Sequence, residues 1–150
     1  MDNSDLIDTL NMLVSTCKDG EYGFHSCAEH VKSENLRSVF NARAAECRQA
    51  AAELQSLIRE NGGKADDSGT TTGAMHRGWV AVKGTLTGYS DLAMLEECER
   101  GEDAALDRYR KALEETLPPM CRAIVERQYE GVKRNHLQVR SLRDTARAAT

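Results

Sequence analysis

Residues 92–113 read LAMLEECERGEDAALDRYRKAL. Within this stretch Leu92, Leu95, Glu99, Glu102, Leu106, Tyr109 and Leu113 recur at alternating intervals of three and four, which keeps side chains on one seam of an α-helix. A helix with such a seam has to dock on other helices. Two carboxylates, Glu99 and Glu102, occupy places that should be apolar. An unpaired carboxylate in a core costs several kcal/mol or takes up a proton, so the fold has to provide for both.

Upstream, the same spacing returns. Ile7, Leu10, Val14, Cys17, Glu21, Phe24, Ala28 and Val31 form a seam over a first helix at about 4–32, capped by Asn3 or Ser4. Ser33 caps a second helix, at about 34–61, with Leu36, Phe40, Arg43, Cys47, Ala50, Leu54 and Leu57 on one face. Gly62-Gly63 stops it. The short break at Lys32-Ser33 makes these two helices antiparallel neighbours. A third helix spans about 90–115, and Pro118-Pro119 opens a fourth at about 119–146, with Val125, Gln128, Val132, Asn135, Val139 and Leu142 as its seam. Residues 62–90 begin polar and then carry a short amphipathic piece at about 72–86 (Met75, Trp79, Val82, Leu86). Their length suits a crossover along a bundle, with Trp79 as anchor. The expectation is one all-α domain, residues 1–150, built as a four-helix bundle.

Composition agrees. Aromatic residues make up 5% and prolines number two, as expected of helices packed on helices. The 24 acids and 20 bases are interspersed, giving a net charge of −4. No basic stripe offers a phosphate backbone a footprint, which argues against nucleic acid. No apolar run approaches the ~20 residues that cross a bilayer, and the acidic N-terminus MDNSDLIDTL lacks the features of a signal peptide. Five cysteines without CxxC spacing read as reduced, buried thiols of a cytoplasmic protein. Cys17 and Cys47 are the pair that could meet across the first two helices, as a thiol sensor would require.

Counting outward from the two turns brings polar groups to one height. Glu21 falls near Glu46 and Cys47, Glu99 opposite Asn135 and His136, and Glu102 opposite Gly131 and Val132. Di-iron helical bundles converge glutamates and Glu-x-x-His pairs in this way. Glu21, Glu46, Glu99, Glu102 and His136 are therefore the candidate metal ligands, for iron or manganese. The set is incomplete. Gln49 stands where Glu46 would need its histidine, and Lys133 where Glu130 would. Arg43, Arg48 and Lys133 bring positive charge to the same region, so a layer of ion pairs without any cofactor is the simpler reading. No catalytic constellation emerges.

Several stretches together, KDGEYGF, NGG, DDSGT, HRGW, LEECERGED, LPP and ERQYEGVKRNH, resemble an uncharacterised bacterial domain-of-unknown-function family of ferritin-like four-helix-bundle proteins. The resemblance covers about Leu6 to Asp144 and implies the ferritin-like fold, with the crossover between helices two and three. It implies no activity. The expected function is that of a non-enzymatic, cytoplasmic bundle, a homo-oligomer and most simply a dimer, acting in protein association or stress physiology. The alternative is a divergent di-metal binding protein or oxidoreductase. No nucleic acid or membrane partner is expected.

Overall fold

In a computed structural model, the described residues, 1–65 and 90–149, form four helices: α1 (Asn3–His30), α2 (Glu34–Glu60), α3 (Asp91–Glu114) and α4 (Pro119–Ala148). No strand occurs among them. The short helix expected at 72–86, with His76, Arg77 and Trp79, lies outside the described residues.

Helix boundaries follow local chemistry. The α1 cap is Asp2, one residue before the expected pair, and its carboxylate accepts the Asp5 N–H at 2.9 Å. Ser33 and Ser90 cap α2 and α3 by accepting the N–H groups of Leu36 and Ala93. Such caps satisfy donors that have no partner inside the helix. Gly62 ends α2 with φ +79°, a conformation that costs glycine little, and the Gly63 N–H returns to the Ile58 carbonyl at 2.9 Å. Expected to end at about 146, α4 continues to Ala148. Arg143 and Arg147 hold this last part through ion pairs to Glu99 and Glu96 of α3.

Both hairpins close on an arginine at the fourth residue of the second helix. Arg37 of α2 donates to the carbonyls of Ala28 and Val31 at the end of α1. Arg122 of α4 donates to those of Leu113 and Glu115 at the end of α3. A cation placed here satisfies orphan carbonyls and opposes the helix macrodipole. Arg122→Ala should therefore lower stability by about 1 kcal/mol, read as a shift of the urea midpoint at constant slope.

Topology follows from two contacts at opposite ends. The Asp91 carboxylate accepts the N–H groups of Lys32 and Ser33 at 2.8 and 3.0 Å. Asn3 donates to the Asn61 carbonyl at 3.0 Å. So α3 starts where α2 starts, and these two run parallel. α1 packs on α2 and on α3, and α3 packs on α4, whereas α2 and α4 scarcely meet.

The helices are rotated slightly from the expected seams. On α3 the buried positions are Met94, Leu95, Glu97, Cys98, Gly101, Glu102, Tyr109 and Ala112, while Leu92, Glu99, Leu106 and Leu113 are half-buried at the edge. On α1, Gly20 and Cys27 are buried and Glu21 is half-buried. Small residues on the inner faces let helix axes approach and gain dispersion contacts. An alanine Cβ at Gly20 would come within 2.9 Å of the Cys47 sulfur. The overlap outweighs the ~1 kcal/mol that alanine gains in helix propensity. Gly20→Ala should thus destabilise the wild-type protein but stabilise a Cys47→Ala protein, and a double-mutant cycle in urea reads this change of sign.

Candidate functional site

Two apolar cores fill the ends of the bundle. One gathers Leu10, Leu13, Leu54, Ile58, Tyr109 and Val125, and the other gathers Phe24, Cys27, Phe40, Met94, Leu95 and Val139. Burying each large side chain is favourable by about 1.5–3 kcal/mol, so these clusters set how the helices dock. The polar residues of the seams are then carried inward between them.

Arg43 and Glu102 meet there. The Arg43 Nη2 donates to Glu102 Oε2 at 3.2 Å, with the two side chains 6% and 2% exposed. Arg43 also pairs with Glu46 at 3.3 Å and lies 5.1 Å from the centroid of the Phe24 ring. Burial works against the Arg43 charge, but Cys47, Glu102 and Glu46 outweigh it and raise its pKa. Burial pushes the Glu102 carboxyl up to about 7, with Arg43 and His136 opposing that rise. Arg43 Nε and Glu102 Oε1 are both buried without a hydrogen-bond partner among the described residues. The arginine is fixed as a cation, while its partner carboxyl is poised to exchange a proton near neutrality.

A second polar chain runs beside this pair. The Tyr109 hydroxyl donates to Gln128 Oε1 at 2.7 Å and lies 3.2 Å from the Cys17 sulfur. Gln128 in turn donates to Glu53 at 3.0 Å and to the Ala50 carbonyl at 3.3 Å. Arg127 holds Glu53 from outside at 2.6 Å. Despite its desolvation, Glu53 is kept below the usual carboxylate range by Arg127 and Gln128. This chain fixes the register of α4 against α2 and α3.

All five cysteines are free thiols, four of them buried and Cys47 half-buried. Burial pushes Cys17 up to about 11 and Cys47 up to about 12, despite the Arg43 charge beside them. Neither is a thiolate at neutral pH, and the thiolate is the nucleophile. The five thiols should therefore react with an aromatic disulfide reagent slowly in the native protein and completely in denaturant. The closest sulfurs are those of Cys27 and Cys98, 3.4 Å apart in the second core. Sequence spacing did not single out this pair, since it depends on the rotation of α1 and α3.

The candidate metal ligands are distributed as follows. Glu102 is buried on Arg43, and Glu99 is half-buried in an ion pair with Arg143. Glu46 is largely exposed and shared between Arg43 and the Asn135 amide. His136 Nε2 lies 2.6 Å from Asp103 Oδ1. Glu21 is half-buried and joins none of these contacts. Among the described residues no three histidine, cysteine, aspartate or glutamate side chains converge on a point that could hold a metal ion. A di-metal centre needs several carboxylates and imidazoles free to turn inward together. Here guanidinium groups hold three of the carboxylates, Glu46, Glu99 and Glu102, so this donor set as arranged does not fit one.

Register explains why the expected partners differ. Glu99 meets Arg143, not Asn135, about two helical turns further along α4. Glu115 and Pro118, between α3 and α4, are extended, with ψ 160° and 150°. An extended residue advances roughly 3.3 Å against 1.5 Å in a helix. The connection therefore runs on past α3 before α4 turns back, which offsets every pairing between them.

The sparse contact between α2 and α4 leaves a void of about 290 Å³ at the level of the polar layer. Its inner wall includes Arg43, Glu102, Cys47, Phe24 and Tyr109, and Glu46, Gln49, Arg127 and Arg134 lie at its mouth. No motif in the sequence signalled it. Its one trace is the run of half-buried residues Gly131–Val132–Lys133 in the middle of α4, where a fully packed helix would have buried its seam.

Comparison with known proteins agrees with this architecture. Residues 5–115 match a family described as Domain of unknown function (DUF2383). No curated protein matches the sequence. Among solved structures, the dodecameric thioferritin, a bacterioferritin-related protein from Bacteroides fragilis, superposes with a TM-score of 0.81 at 20% identity, over 99% of this chain and 90% of that one. A C-terminal deletion mutant of Mycobacterium smegmatis Dps gives 0.77 at 18% identity, over 93% and 98%. The tetragonal form of the same Dps gives 0.77 at 18%, over 93% and 86%. At these identities the likeness establishes the ferritin-like four-helix fold and nothing about chemistry.

Proposed function

The chain belongs to the DUF2383 family, and from that premise we propose that it is a non-enzymatic ferritin-like bundle that acts by self-association in the cytoplasm, in stress physiology. The observation that carries this reading is the Arg43–Glu102 ion pair at 3.2 Å. A guanidinium takes the place in the bundle centre where such folds can hold metal, and neutralises the carboxylate that would otherwise bind it. Self-association draws its support from the similar thioferritin, which is dodecameric. No described helix is long and apolar enough to cross a membrane.

The second reading is a divergent iron or manganese protein using Glu21, Glu46, Glu99, Glu102 and His136. It draws support from the buried Glu102 oxygen that lacks a partner among the described residues. One preparation separates the two. Protein purified without chelator should carry only substoichiometric iron and manganese and should elute as an oligomer, most simply a dimer, in light-scattering chromatography. Stoichiometric metal that is lost in Glu102→Gln would establish the second reading instead.

A further inference from the structure

The central void is more than a packing defect, because its walls are charged and built from all four helices. At about 290 Å³ it sits at the lower end of ligand pockets and is about twice the ~150 Å³ cavity that accepts benzene. Four guanidiniums line it, those of Arg43, Arg108, Arg127 and Arg134. Arg127 is paired with Glu53, and Arg108 lies 3.9 Å from Asp19. Arg43 is paired with both Glu102 and Glu46, through its two terminal nitrogens. Among the described residues, Arg134 at the mouth has no carboxylate within ion-pair distance and the Arg43 Nε–H has no acceptor. Between the charges the walls are apolar, with Phe24, Ala105 and Val132 among them.

We propose that this cavity binds a small organic carboxylate of about the size of benzoate, with Arg43 as its anchor. The free Nε–H of Arg43 can donate one charge-assisted hydrogen bond to a carboxylate, and Arg43 is held against Phe24 and already desolvated, so little order is lost when it takes one. Arg134 draws the anion to the mouth. The apolar walls select an organic acid over a hydrated inorganic ion, whose water shell they cannot replace. The carboxylate of the ligand shares Arg43 with Glu102, and no bond of the ligand is made or broken. This site stands whether or not the chain self-associates.

Calorimetric titration of the full chain with benzoate, with benzyl alcohol as a neutral match of similar size, tests the proposal. Benzoate should bind saturably at one site per chain and benzyl alcohol roughly tenfold more weakly or worse, since a charge-assisted pair is lost. Ala105→Leu, which fills the void from α3, should lose benzoate binding while keeping the native circular dichroism spectrum. Arg43→Met combined with Glu102→Met removes the anchor without stranding a charge and should lose it as well. Absence of saturable benzoate binding, equal binding of benzyl alcohol, or wild-type affinity in both variants would each overturn the site.

Discussion

Arg43→Met should cost the fold about 3 kcal/mol at pH 8, at the lower end of what is lost when one partner of a buried ion pair is removed. Methionine keeps much of the arginine stem volume, so the loss is mainly electrostatic. Glu102 would remain 2% exposed with no cation beside it, and Glu46 would lose its partner at 3.3 Å. Glu102 has one way to limit the damage, which is to take up a proton, and its carboxyl is already raised to about 7. The penalty should therefore be smaller at pH 5, where that proton is present before the mutation. Arg43→Met combined with Glu102→Met should recover most of the loss, because an apolar pair of similar volume is tolerated where a lone charge is not. Equilibrium urea unfolding of the four proteins at both pH values measures the coupling. Equal penalties at pH 5 and pH 8, or a double mutant no better than the single, would show that the pair is not the electrostatic centre of the bundle.

The residues that make this pair were visible in the sequence because each interrupts an apolar seam. Arg43 falls between Phe40 and Cys47, and Glu102 between Leu95 and Tyr109. Seam spacing fixes which residues go inward, and short turns fix which helices are antiparallel. That suffices for the four helices, and the Asp91 contact with Lys32 and Ser33 gives the direction of α3. It does not fix rotation about a helix axis to better than about one residue, or 100°. That margin separates Glu99, expected on the inner seam but half-buried at the edge, from its neighbour Cys98, buried 3.4 Å from Cys27. Nor does it fix axial offset. Counting from Pro118-Pro119 assumes a tight turn, and an extended connection moved Glu99 from Asn135 to Arg143. The cavity was the least legible feature of all. It results from two helices that meet only sparsely, mainly through polar side chains, and no residue pattern encodes a distance between non-neighbours in the chain.

Stability should fall as pH rises from about 4.5 to 7, opposite to the trend that paired carboxylates give. Glu102 has an ordinary value of 4.5 and is raised by burial to about 7 in the folded protein. Between these values the native state holds a proton that the unfolded chain has released. Native protein thus binds more protons than unfolded, and the linkage relation makes the slope of stability with pH negative across this window. Above about 7 both states are ionised and the slope vanishes. At 1.36 kcal/mol per unit the full change is at most roughly 3 kcal/mol. Glu53 has the opposite sign, since its pKa is lowered by Arg127 and Gln128, and its contribution is lost as pH falls through the carboxylate range. Glu102→Gln isolates the first effect, because glutamine is the uncharged isostere and the other titrating groups are common to both proteins. Asp103 and His136, which act on Glu102 through space, are retained. The wild-type stability minus that of Glu102→Gln, from urea unfolding, should decline steadily between pH 5 and pH 7 and then level. A constant difference would place the Glu102 pKa in the ordinary range and mean that Arg43 fully offsets the cost of burial.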